Sequence, residues 1–191
     1  MKVGTKSVLF GAHQFVIHPW FVAAAWARLY GFPWNYRLWI AFFLHDLGYW
    51  GKSNMDGPEG ELHPVWAADL MGRWFGLPWC DFCLLHSRFL AKRLGQPYSR
   101  LCVADKLAVA MEPWWFYLPR AIASGEIVEY MERAKQRHHA GEGKYFSMNL
   151  AEGSRRLWLT SVKDYLRRWA WEHKDDREDT WTPGGKEEGL G

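Results

Sequence analysis

The sequence predicts an all-α fold, and three observations carry that prediction. Apolar residues recur at three- and four-residue spacing through most of the chain, the repeat of one face of an α-helix. Glycine and proline fall between these stretches, where each ends a helix for its own reason. No stretch alternates apolar and polar residues in the two-residue period of a half-buried strand.

A first helix is expected over 11–30, kinked at Pro19 and stopped by Gly31, Phe32 and Pro33. A second, over 36–47, is followed by GYWGKSNMDGPEG, whose turn-forming residues read as a loop. A third starts near His63-Pro64 and runs to about Phe75, with Pro64 in a first turn that has no use for its missing N–H. A fourth begins after Pro78 and carries Phe82, Leu85, His86 and Phe89 on one face. A fifth, over 99–111, is stopped by Pro113; further helices cover 126–137 and 150–172. Six or seven helices thus make one bundle domain, 1–173, large enough to bury a core. From Lys174 onward KDDREDTWTPGGKEEGLG is expected to be a disordered, charged tail, 174–191.

With 49% hydrophobic and 24% charged residues the composition is that of a soluble globular protein. Fourteen tryptophans are more than a core of this size readily uses, which leaves a homodimer open. The net charge of +3 is spread out; Arg155, Arg156, Lys163, Arg167 and Arg168 read as a solvated helix face, so no clear nucleic-acid patch is seen. Cys80, Cys83 and Cys102 cannot all pair within one chain, and a reducing, cytoplasmic setting is expected. Cys80 and Cys83 form a CxxC with no second CxxC to complete a structural zinc site. No stretch reaches the roughly 18 apolar residues of a membrane span. The most apolar one, Leu38 to Leu44, is short and ends on His45-Asp46, as a buried helix delivering polar groups to the interior would.

That pair is the centre of the chemistry. A buried aspartate beside a histidine in an apolar run is costly without a partner, and a metal ion removes the cost. Five of the eight histidines (His13, His18, His45, His63 and His86) lie in the first half, and most sit where helices start or end. Mixed imidazole and carboxylate donors suit divalent ions such as Mn or Fe. His13 competes with His18 as a first ligand but reads better as a surface or capping residue, and His138, His139 and His173 read as solvated.

With HPWFVA at His18, AFFLHDLG at His45-Asp46 and LCVADKLA at Asp105, the chain resembles the HD superfamily of metal-dependent phosphohydrolases over residues 18–106. His63 in LHPVWAADL and His86 in LLHSR extend the likeness to the six-ligand, two-metal branch. That branch includes diadenosine tetraphosphate hydrolases, whose ADKIEP segment is similar to ADKLAVAMEP here, HD-GYP phosphodiesterases and mixed-valent di-iron oxygenases. The resemblance implies one ion on His18, His45, Asp46 and Asp105, and a second on Asp46, His63 and His86. The GYP motif is absent, and Lys52 lies six residues after Asp46, farther than the lysine of the tetraphosphate hydrolases.

The resemblance implies hydrolysis of a small phosphorylated compound, with a nucleotide as one option, by metal-activated water held at Asp46. Lys52 and Arg88 are the expected charge-neutralising residues, with Lys106 and Trp50 beside them on the substrate side. Arg88 reaches the site only if the helix ends near His86. Loop 49–61, rich in glycine, is the expected lid. The alternatives are an oxygenase built on a di-iron pair with the same ligands and a non-catalytic binding module.

Overall fold

The computed structural model describes residues 1–139 and 154–175, the side chains of 135–139 excepted. Among them are ten α-helices and no strand, so the all-α expectation holds. The helices are α1 Val3–Phe10, α2 His18–Tyr30, α3 Tyr36–Leu44, α4 Pro64–Phe75, α5 Leu77–Leu84, α6 Arg88–Arg93, α7 Arg100–Met111, α8 Trp114–Ser124, α9 Glu126–His139 and α10 Arg155–Glu172. Two single 3-10 turns, Leu47–Tyr49 and Gly60–Leu62, bracket the loop before α4.

The core is organised around α7, on which both α2 and α10 pack. Its sequence RLCVADKLAVAM is buried on nearly every side, at Leu101, Cys102, Val103, Ala104, Leu107, Ala108 and Ala110. A helix apolar on all faces has no solvent side and belongs in the middle of a bundle. The small residues Ala104 and Ala108, facing a core to which α2 brings Ala25 and Trp26, allow close approach of the axes. Full burial of a side chain such as Leu101 contributes roughly 1.5–3 kcal/mol. This central helix carries Asp105 into the interior.

Several boundaries differ from expectation for local reasons. Residues 11–17 form a turn and α2 begins at His18; Pro19 occupies its first turn and causes no kink. The short α1 is unforeseen. Its Gly4 lies against the backbone of Tyr49, where a Cβ would overlap the carbonyl oxygen. Helix α3 ends at Leu44, three residues early, so His45 and Asp46 follow the helix instead of riding on it. The fourth expected helix is two, α5 and α6, parted at Leu85–Ser87, where Ser87 caps α6 by accepting from the Leu90 N–H at 3.3 Å. Helix α8, which contains Pro119, is also unforeseen. Helix α10 starts behind a Ser154 cap; positions 150–153, and the tail beyond Asp175, lie outside the described residues.

Loop 49–61 is pinned at its middle. Met55 is buried, and the Glu129 carboxylate of α9 accepts from the N–H groups of Met55 and Asp56 at 2.8–3.0 Å. The freedom expected of its glycines is offset by this anchor.

Candidate metal centre

Four helix ends and one helix interior deliver the predicted ligands to one place. His18 opens α2, His45 and Asp46 follow α3, His63 precedes α4, His86 lies in the turn between α5 and α6, and Asp105 sits within α7. All six are buried, between 1% and 8% exposed. His18, His45, Asp46 and Asp105 form one potential metal-holding group and Asp46, His63 and His86 a second, each with its donor atoms within 4.8 Å of one another. Asp46 belongs to both.

The helix ends also orient the rings. His45 Nδ1–H donates to the carbonyl of Phe42 at 2.9 Å, His63 Nδ1–H to Gly60 at 2.7 Å and His86 Nδ1–H to Cys83 at 2.5 Å. A carbonyl oxygen only accepts, so each Nδ1 carries a proton, and a ring in its neutral form turns an Nε2 lone pair inward. The Cys80-Cys83 motif thus serves the site through a backbone oxygen. Burial pushes the Cys83 thiol up to about 12, which leaves it unreactive.

The inward atoms repel one another unless a cation lies between them. The Nε2 atoms of His63 and His86 are 3.0 Å apart, and Asp46 Oδ1 lies 3.5 and 3.7 Å from them. With both Nδ1 positions donating outward, neither neutral ring has a proton left for the other. In the first group His45 Nε2 lies 3.1 Å from Asp46 Oδ2 and 3.8 Å from Asp105 Oδ1, while His18 Nε2 is 3.5 Å and 3.0 Å from the same two oxygens. His45 Nε2 and Asp46 Oδ2 are buried without a hydrogen-bond partner, as is Nδ1 of His18. Such atoms are expensive in a dry interior, and a divalent cation satisfies a donor set of this kind.

The electrostatics ask for positive charge at the same point. Burial disfavours a charged His45, yet Asp46 and Asp105 outweigh it and lift the imidazole to about 10. Burial opposes the charge on Asp46 as well, but His45 and then His13 hold its carboxyl well below the usual range. Burial, reinforced by His86, keeps His63 neutral, its pKa well below the ordinary value, and burial also lowers His18.

A supporting shell surrounds the ligands. Tyr49 stacks on His63 with ring centres 3.8 Å apart. Gly48 lies so close to the His63 backbone that a Cβ there would overlap its carbonyl oxygen. Lys106 donates to Asp105 Oδ2 at 2.9 Å; despite the penalty of burial, that carboxylate raises the ammonium further above its ordinary value.

Two residues of this shell escaped the sequence reading. His13 is not a surface group: its ring meets that of His18 edge-on at 5.7 Å, and its Nδ1 lies 2.9 Å from Ser7 Oγ and 3.2 Å from Glu126 Oε2. Glu126 is fully buried and also accepts from the Ala12 N–H and from the hydroxyls of Ser124, Ser7 and Tyr130 at 2.6, 2.6, 2.8 and 3.1 Å. Nothing in the sequence near Glu126 signals this, since a glutamate in a first helical turn is ordinary.

The proposed substrate-side residues are dispersed. Lys106 stands at the site. Arg88 opens α6 beyond the break after His86, so the condition for its reaching the site is met; its guanidinium lies over the Trp169 ring at 5.1 Å, close enough to Lys106 to oppose that charge. Lys52 is held through its backbone, whose carbonyl accepts from Gly4 N–H at 3.2 Å, and its charge acts on Glu59. Trp50 is exposed at the end of the 3-10 turn. A shallow cleft beside the first ligand group is lined by His13, Phe15, Pro19, Phe42, Phe43 and Leu47 together with His18, His45 and Asp46. Compared with known protein families, with curated proteins and with solved structures, the chain finds no match.

Proposed function

We propose that this chain is a metal-dependent phosphohydrolase of the HD type, acting on a small phosphorylated compound, with nucleotides first among the candidates. The observation that supports it best is the position of Asp46, one carboxylate shared by two groups of inward-facing donors. His18, His45, Asp46 and Asp105 would hold one ion and Asp46, His63 and His86 the other, with Mn or Fe suited to both. When bound, two such ions supply an activated water and neutralise charge on phosphoryl oxygens. The carbonyls of Phe42, Gly60 and Cys83 keep the imidazoles in the tautomer that can ligate. Lys106 and Arg88 give the site a cationic flank on which a phosphate can rest. His13, anchored by Glu126, presents the remainder of its ring at the cleft.

The test is hydrolysis of p-nitrophenyl phosphate and a panel of nucleotides by protein reconstituted with Mn or Fe. Phosphate release that requires the ion and disappears in Asp46→Ala supports the reading; full activity in that variant overturns it.

One observation favours a second reading, a mixed-valent di-iron oxygenase on the same ligands: the cleft walls are apolar apart from His13 and the ligands. Iron-dependent oxygen uptake on addition of an organic substrate supports it. Turnover with Mn under strict anaerobiosis excludes it.

A further inference from the structure

We propose that the exposed aromatic face of α2 and α3 docks on an anionic lipid surface. Helix α3 reads YRLWIAFFL, yet only Ala41 and Phe42 are buried. Of the rest, Tyr36 is exposed and the other six are half-buried, Leu38, Trp39, Ile40 and Leu44 against the core, so the helix keeps an apolar outer edge at Trp39 and Phe43. The α2–α3 connection adds to the same face. Trp34 is 86% exposed, Trp20 57% and Phe32 56%. Trp20 meets Trp39 and Phe43 at ring distances of 5.5 and 5.9 Å, and Phe32 meets Trp34 and Trp39 at 4.5 and 6.4 Å. The five rings therefore form one continuous patch. The Trp39 indole N–H donates to the Pro33 carbonyl at 2.9 Å, which holds the connection in place.

Charge selects the occupant. From Met1 to His45 the chain contains no Asp or Glu, whereas it carries Lys2, Lys6, Arg28 and Arg37. Arg28 is exposed on the face of α2 that presents Trp20, Ala24 and Ala27. Arg37 is half-buried and lies over the Phe75 and Tyr36 rings at 5.2 and 5.7 Å, outside the five-ring patch. The neighbouring α4–α5 edge carries Asp69, ion-paired to Arg73 at 2.9 Å, and Asp81. A second copy meeting this patch through its own α2 and α3 would bring no acid to pair Arg28. Anionic headgroups answer Arg28, and the headgroup–acyl boundary accommodates tryptophan, whose ring is apolar and whose N–H stays wet. Among the described residues no helix is long and apolar enough to cross a membrane, so the contact lies in the interface. Phe43 belongs both to the patch and to the wall of the metal cleft, which therefore opens at the rim of the docked face.

The experiment is flotation of the full chain with vesicles of phosphatidylcholine containing 30% phosphatidylserine, and with phosphatidylcholine alone. Partition onto the anionic vesicles is expected to exceed that onto neutral ones and to fall at least about tenfold in the double variant Trp20→Ser/Trp34→Ser, and by about as much in Arg28→Glu. These side chains are exposed, and unchanged circular dichroism shows that the fold survives. Trp115→Ser, an equally exposed tryptophan on α8, is expected to leave partition unchanged. Absence of partition by the wild-type chain overturns the proposal, and so does partition indifferent to the α2–α3 variants. A concentration-dependent dimer in sedimentation velocity, lost in Trp34→Ser and unaccompanied by vesicle binding, gives the face to a second copy and likewise overturns it. None of these results depends on the metal centre or on its reaction.

Discussion

Replacing Glu126 tests whether the buried shell behind the candidate metal centre is held by charge. Oε1 accepts from the Ala12 N–H and the Ser124 hydroxyl, both at 2.6 Å, and Oε2 from Ser7 and Tyr130 beside His13. In Glu126→Ala the Ala12 N–H loses its partner and His13 loses its carboxylate, keeping Ser7 Oγ. Unsatisfied buried groups cost about 1–3 kcal/mol each, so a loss of roughly 3–5 kcal/mol is expected. Glu126→Gln can keep its oxygen toward Ala12, because the hydroxyls of Ser7 and Tyr130 can turn to accept from the amide; a loss of about 1–2 kcal/mol is expected. The pH dependence has a definite sign. Burial opposes the charge on Glu126, but His13, Ser124 and Ala12 overcome it and hold the carboxyl below its ordinary value. A lowered folded pKa means that the carboxylate's contribution is complete above the unfolded value and is lost as pH falls through the folded one. The gap between wild type and Glu126→Gln should thus be full at pH 7 and shrink only below the ordinary glutamate range. Urea denaturation at pH 7 and pH 4 measures both. A Glu126→Ala variant within about 0.5 kcal/mol of wild type at pH 7, the usual scatter of a surface change, would refute the reasoning.

Three further outcomes follow from the same geometry. Gly48→Ala forces a methyl group into the His63 carbonyl; it should cost about 1–3 kcal/mol in denaturant and reduce the metal held by His63 and His86, read by elemental analysis. Leu101→Ala opens a cavity in the central helix α7 and should cost about 2–5 kcal/mol, with normal melting of the variant as the contrary result. A thiol reagent at pH 8 should reach Cys80 alone in the native protein, while Cys83 and Cys102, both buried, react only after unfolding; fast labelling of all three would mean that the core around α5 and α7 is open.

Much of the candidate site was readable in the chain because its ligands sit at breaks in the helical pattern. His18 before Pro19, His63 before Pro64 and His45-Asp46 at the end of an apolar run all stand out against their surroundings, and the structure brings them together with His86 and Asp105. The helix break that Arg88 needed is present after Leu84, and its guanidinium lies over the Trp169 ring. The remainder escaped for physical reasons. His13 and Glu126 are 113 residues apart, and pairing at that range leaves no local trace. Helix α8 carries Pro119 in its interior, which local propensity disfavours and packing tolerates. Lys52 follows the HD pair closely in sequence, but its peptide is held by α1 and its charge acts on Glu59. Nearness along a loop is a poor guide to where a flexible side chain points.

The central claim is that Asp46 joins two ion sites, and elemental analysis tests it most directly. The protein would be purified without chelator and without oxygen, beside Asp46→Ala and His86→Ala. Asp46 contributes to both groups and His86 to one. Wild type is therefore expected to carry close to two Mn or Fe per chain, His86→Ala close to one and Asp46→Ala close to none. Metal content that is unchanged in Asp46→Ala, or wild-type protein that takes up no ion even when Mn or Fe is supplied in excess, would contradict the account.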